Sequence, residues 1–396
     1  MTPNIQGTGR TADGTPSDLS GAISLFLCGD VMTGRGVDQV LPHPVPPHLY
    51  ESYVRDARDY VELAESRNGQ IPRPVRFADI WGDALAALAQ AAPDVRLINL
   101  ETSITTSEEW WPDKGIHYRM NPANAPCLTA ARIDCCALAN NHVLDWGYPG
   151  LRETLATLRS LGVATAGLGE NLEVARRPAV LEVGTRGRVI VFSFGAHSSG
   201  IPPAWAAEVD KPGVNFLPDL SSSTARRIGD QIRSVKREGD VAVASIHWGD
   251  NWGYELPPEQ RAFAHALIDE AAVDIIHGHS SHHPRGIEIY QDRLILYGCG
   301  DFLNDYEGIQ GYEAFRGDLA LMYFASVDPA SGRLARLRML PMQLRHLRLY
   351  RASEHDTAWL CGVMDREGRR LGTRTRLDET GALVLQWEGA RELADG

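Results

Sequence analysis

Six side chains spread over some 250 positions carry the donor types of a divalent metal site: Asp30, Glu101, Asn141, His247, His279 and His282. Carboxylate, amide oxygen and imidazole are the groups that converge on such cations. Each follows a short apolar run. Ile23–Cys28 leads into Gly29-Asp30, and Val95–Leu97 leads through Asn99-Leu100 to Glu101. Ile133–Leu138 precedes Asn140-Asn141-His142, and Val241–Ile246 precedes His247-Trp248-Gly249. Val273–Ile276 opens into His277-Gly278-His279-Ser280-Ser281-His282-His283, with four histidines in seven residues. Histidines so crowded repel one another when protonated; a bound cation holds them neutral and makes binding depend on pH.

The runs have strand length and are rich in Val, Ile and Leu, as strands covered on both faces require. Between them, Trp81–Ala92, Pro149–Leu161, Thr224–Arg237 and Glu259–Ala271 place apolar residues at helical spacing. The alternation predicts an α/β fold, with ligands bound beyond the carboxyl ends of the strands. Residues 41–76, rich in Pro, charge and Tyr, read as an insertion over the site with a helix near 50–66, or as a surface excursion without a role. Leu319–Val327 and Leu334–Leu349 read as strands, the second long enough to need a bend. The domain plan is a polar, disordered leader over 1–20, a catalytic domain over 21–350, and a C-terminal helix with a small β extension over 351–396.

The 396-residue chain has a formal net charge of −12, which disfavours a nucleic-acid partner. No run reaches the ~18 apolar residues of a membrane span, and the N-terminal stretch lacks the pattern of a secretory signal. The six cysteines form no C-x-x-C pair and fit buried thiols in a reducing compartment. A cytoplasmic protein with no membrane partner is the expectation.

The ordered set GDVMTGRG, NLE, NNHVLDWG, HWG, GHSSH, GIEIY and LYGCGDF, over roughly residues 23–305, resembles the CapA family. That family is named for capsule and poly-γ-glutamate synthesis and belongs to the calcineurin-like metallophosphoesterase superfamily. The resemblance implies two packed β-sheets flanked by helices, α/β/β/α, with a two-metal site at one edge. It implies Asp30 and His282 on one metal, Asn141, His247 and His279 on the other, and Glu101 as the bridge. His142 matches the position of the acid or electrostatic stabiliser, with Asp145 to orient it. Met32 stands where the superfamily carries a histidine. One tight and one loose, catalytically open position follow. Mixed donors suit Mn, Fe, Zn or Co, with Mg or Ca at an oxygen-rich position.

Other residues have two readings each. His277 is a base entering the site or a buried, hydrogen-bonded residue, and His283 is a supporting group. Asp301, where the family usually carries Asn, is an acid or base, or a turn residue. Arg35 grips a substrate carboxylate or phosphate, or forms a structural ion pair. Trp248, Trp252 and Tyr254 build a substrate wall or simply pack.

A metal pair serves three reactions: phosphoester hydrolysis, amide chemistry on a γ-glutamyl chain, or proton exchange at a peptide Cα. The CapA-like group includes a peptide epimerase of lasso-peptide biosynthesis. Epimerisation of a peptide substrate is the reading favoured here, because the site carries more His and Asp candidates than metal binding alone requires and the 41–76 insertion could exclude water. The alternatives are a CapA-type amide or γ-glutamyl polymer enzyme, a phosphoesterase, and a non-catalytic metal-bound scaffold.

Overall fold

Strand alternation decides which residues meet. In a computed structural model, which describes residues 21–388, Ile23–Val31 turns Ile23, Leu25 and Leu27 to one face and Phe26 and Cys28 to the other. The first set packs against Val189, Val191, Val241, Val243 and Ile275 of a second sheet. The second set packs against helix residues such as Trp81, Leu88 and Leu128. On the second sheet the outward residues Phe192, Ala244 and Ile246 meet Ile228, Phe263 and Leu267 of the Ser222–Val235 and Pro258–Ala271 helices. The result is four layers: helices, sheet, sheet, helices. Burying each of these aliphatic side chains contributes roughly 1.5–3 kcal/mol.

The first sheet runs Ala164–Ala166, Cys135–Ala137, Val95–Leu100 and Ile23–Val31 in parallel. It continues antiparallel through Leu319–Val327 and Leu334–Arg345. The second is centred on parallel Arg188–Ala196, Val241–His247, Ile275–His279 and Arg293–Leu296. Parallel strands bring their carboxyl ends to one edge.

Several expectations need adjusting. The Leu334–Leu349 segment is not one bent strand. His346 and Leu347 adopt left-handed backbone, and Arg348–Arg351 folds back on Leu334–Arg345 as a hairpin. The Arg374–Leu377 and Leu383–Gln386 strands extend the first sheet beside Leu334–Arg345, so the C-terminal β element belongs to the main body. The helix of the 41–76 segment is Arg58–Asn68. The expected leader over 1–20 lies outside the described residues. All six cysteines are free.

Candidate metal centre

The inner faces of both sheets change character along their length. On Val241–His247, the inward series is Val241, Val243, Ser245, His247; on Ile275–His279 it is Ile275, His277, His279. His247 and His279 lie side by side in register. On the first sheet, Val95 and Leu97 precede Asn99 and Glu101 along the same face. Apolar at one end and donor-rich at the other, one period-2 pattern builds both core and site.

Asp30 is out of phase with Leu25 and Leu27. A register irregularity corrects it: Leu27 pairs with Leu97 but Asp30 with Asn99, so three residues oppose two. Gly29 is required there, since a Cβ would lie 1.6 Å from the Gly300 carbonyl oxygen. Two Gly-Asp pairs thus meet, and Asp30 is registered with Asp301 of the parallel Asp301–Leu303 strand.

The donors form two groups that share Asp30. Asp30, His247 and His279 make one; Asp30, His282 and Asp301 make the other, each with ligand atoms within 4.8 Å of one another. Asn99 Nδ2 donates to Asp30 Oδ1 at 2.7 Å and to Glu101 Oε2 at 3.1 Å. Asn140 Nδ2 donates to Asn99 Oδ1 at 3.0 Å, which fixes the orientation of that amide. Ser280, held at φ +99°, donates its backbone N–H to Asp30 Oδ2 at 3.2 Å. Glu101 Oε1 stands 3.8 Å from the Nε2 atoms of both His247 and His142. Asn141 Oδ1 is 3.0 Å from His247 Nε2.

The donor set suits a divalent cation. Burial, then the neighbouring Asp301, pushes the Asp30 carboxyl up to about 7. Burial and the carboxylates of Asp30 and Asp301 raise Glu101 well above its usual range. Burial and adjacent imidazoles hold His247 and His279 far down, hence neutral. Burial opposes protonation of His282, but Asp301, whose Oδ1 lies 2.8 Å from His282 Nδ1, prevails and raises it. Carboxylates crowded against neutral imidazoles are a set of lone pairs in want of a positive charge.

His142 borders this set. Its Nδ1 lies 2.7 Å from Asp145 Oδ2, while Lys114 Nζ binds Asp145 Oδ1 at 2.6 Å and the Ile116 carbonyl at 2.9 Å. With Nδ1–H given to Asp145, the Nε2 lone pair faces Glu101. Burial and the Lys114 ammonium push His142 down to about 4, against the pull of Asp145. Lys114 was not anticipated: it lies in an irregular loop 28 residues before His142, with no pattern to mark it.

Other expected roles fail on contacts. Arg35 is buried: its Nε donates to Asp305 Oδ2 at 3.0 Å, and its Nη1 to Glu51 Oε1 at 2.9 Å and Tyr60 Oη at 3.0 Å. It fastens the 41–76 segment to the body rather than gripping a substrate. Trp248 is buried among Phe263 and Tyr297 on the far side of the second sheet, with Nε1–H on the Tyr297 carbonyl, so it is no substrate wall. His277 is no base in the site, because both ring nitrogens are engaged, with Cys28 O at 2.7 Å and Ser245 Oγ at 3.0 Å. His283 packs against Phe315 at 4.6 Å and Trp252 at 6.1 Å, with Nδ1 on the Pro284 carbonyl. Asp301 sits among the donors, with Oδ1 2.8 Å from His282 Nδ1. Asp30 is the carboxylate that both groups contain, and Glu101 lies beside it with Oε1 3.8 Å from His247 Nε2. Trp252 does face the site: it lies 5.3 Å from the His282 ring, stacks on Tyr312 at 4.1 Å, and lines a cavity of about 660 Å³ that reaches His282. Tyr254 packs behind it on His283 and Phe315.

Fold and site together define a mixed α/β protein with a buried donor set of the kind that holds divalent cations. The chain belongs to the family described as bacterial capsule synthesis protein PGA_cap, whose model matches residues 24–306. It is 53% identical over 353 residues to a probable polyglutamine synthesis accessory protein of Mycobacterium tuberculosis, covering 89% of this chain and 93% of that protein. It is 28% identical over 320 residues to the PGA biosynthesis protein CapA of Bacillus subtilis, covering 78% of this chain and 70% of that protein. The capsule biosynthesis protein CapA of Bacillus anthracis is 23% identical over 301 residues, covering 76% and 63% respectively. These names favour the glutamyl-polymer alternative over the peptide epimerase, which they do not support. No helix among the described residues is long and apolar enough to cross a membrane.

Proposed function

We propose that this protein is a metal-dependent enzyme of glutamyl-polymer synthesis, acting on an amide of a glutamyl chain from a two-cation site of the calcineurin-like metallophosphoesterase type. The observation that carries the reading is the pair of donor groups sharing Asp30 beside His142, in a chain whose relatives are named for capsule biosynthesis, PGA biosynthesis and polyglutamine synthesis. Asp30, His247 and His279, aided by Asn141 and Glu101, would hold one cation; Asp30, His282 and Asp301 would hold the other. A bound divalent ion supplies Lewis acidity toward a carbonyl oxygen and lowers the pKa of water.

The remaining chemistry belongs to the chain. His142, neutral above about pH 4, offers Nε2 as a proton acceptor, and Asp145 keeps that nitrogen bare by taking Nδ1–H. Lys114 balances Asp145 and keeps the pair from drawing a second proton. Trp252 and Tyr312 form an aromatic wall at the cavity, and Arg67 and Arg345 line the same cavity as cations suited to a carboxylate-bearing chain.

The test incubates the metal-loaded protein with α- and γ-linked glutamyl oligomers in deuterated water, with and without chelator. Chelator-sensitive release of amine supports the reading. Deuterium uptake at Cα without cleavage would restore the epimerase. Phosphate release from a phosphoester would favour a phosphoesterase, and unchanged polymer output with His142→Ala in the producing cell would leave a metal-bound scaffold.

A further inference from the structure

A line of hydrogen bonds crosses from the first sheet to the second and ends on a proposed metal ligand. His277 Nε2 lies 2.7 Å from the Cys28 carbonyl oxygen. A carbonyl oxygen only accepts, so Nε2 carries the hydrogen. The ring is fully buried and no carboxylate bonds to it, so it is a neutral imidazole with Nδ1 bare. Ser245 Oγ lies 3.0 Å from that nitrogen and must donate its hydroxyl hydrogen to it. The same oxygen lies 2.9 Å from His279 Nε2. With its one hydrogen spent on His277, Ser245 can only accept from His279. His279 Nε2 therefore carries a hydrogen, and Nδ1 is left as a lone pair. That Nδ1 faces the donor cluster, 2.8 Å from His247 Nδ1 and 4.0 Å from Asp30 Oδ1.

We propose that Ser245 and His277 are positioning residues that lock His279 as the Nε2–H tautomer and thereby commit its Nδ1 to the cation. The proposal rests on the two-cation reading of the site and adds how one ligand is aimed. The relay starts at Cys28, two residues before Asp30, in the stretch that the register irregularity removes from pairing with Val95–Leu100. One irregularity thus aims Asp30 and frees the carbonyl that sets His279. Without the relay the two tautomers of His279 would interchange, and one of them presents an N–H where a lone pair is needed.

The direct test is a long-range ¹H–¹⁵N correlation spectrum of the full-length, metal-free protein with ¹⁵N-labelled histidine. The expected pattern is protonated Nε2 and bare Nδ1 at both His277 and His279. A protonated Nδ1 at His279, or signals averaged between tautomers, overturns the proposal. Ser245→Ala is the companion variant: His279 becomes averaged and Mn(II) or Zn(II) affinity falls roughly 10–100-fold, while Ser245→Thr restores both. Wild-type affinity and an unchanged His279 pattern in Ser245→Ala also overturn it. Should Ser245→Ala not fold, the wild-type spectrum alone decides. That spectrum needs neither substrate nor metal, so a glutamyl oligomer that is never turned over would defeat the proposed function and leave the relay standing.

Discussion

The two donor groups around Asp30 differ in how they are held. His247 and His279 sit on adjacent parallel strands, in register, essentially without solvent exposure. His282 sits in a loop and Asp301 opens the short Asp301–Leu303 strand, and His282 opens onto the cavity that Trp252 lines. The first group offers two imidazoles and one shared carboxylate; the second offers one imidazole and two carboxylates. Backbone pairing fixes the first group before any cation arrives, so it should bind tightly and favour nitrogen-loving ions such as Zn, Fe or Co. The second is oxygen-rich and reachable, which suits Mn, Mg or Ca in weaker, exchangeable binding. A rigid position then anchors the centre while the accessible one meets substrate.

Substituting the shared residue should have the largest effect. Asp30→Asn removes a negative donor from both groups, and metal analysis after gel filtration should find neither equivalent retained and no turnover. If two equivalents persist, Asp30 is not shared. Separating the groups comes next. His247→Gln should empty the rigid position, whereas Asp301→Asn should leave one tight equivalent and weaken only the other, by at least the roughly 10–100-fold seen for supporting residues. Equal loss in both variants would merge the two positions into one.

A pH titration has a smaller, graded effect. Asp30 is raised to about 7 in the metal-free protein and must lose its proton to bind a cation. Affinity should therefore climb by roughly tenfold or more per pH unit below about 7, with at least one proton released per binding event, because Glu101 and His282 are raised as well. Calorimetry in two buffers of different ionisation enthalpy measures that proton directly, and a flat profile from pH 5 to 8 would remove Asp30 from the site. The smallest effect belongs to the cavity wall. Trp252→Ala should leave metal content intact and raise KM roughly 2–10-fold, the range of a lost aromatic contact; a fall in metal content instead would make Trp252 a support for His282.

The same comparison separates what could be read from the chain and what could not. The rigid group is legible because Val241–Ile246 is a largely apolar run of strand length and His247 falls at its carboxyl end. Asp301 was legible only as a residue of interest. Its place beside Asp30 comes from a parallel pairing across 271 positions, which no local pattern encodes. The same holds for the irregularity at Cys28-Gly29, where one extra residue reverses the inward series and brings Asp30, not Gly29, to the donors. Arg35 and Trp248 look functional by proximity in sequence, yet partners distant in the chain, Asp305 and Tyr297, decide that they are structural.

An anomalous-diffraction map of crystals grown with Mn(II), recorded on both sides of the manganese edge, shows whether Asp30 is shared by two cations. Two peaks are expected to flank the Asp30 carboxylate, one toward His247 and His279 and the other toward His282 and Asp301, the second weaker. A single peak that does not touch Asp30, or no peak with Mn(II) in excess, would contradict it.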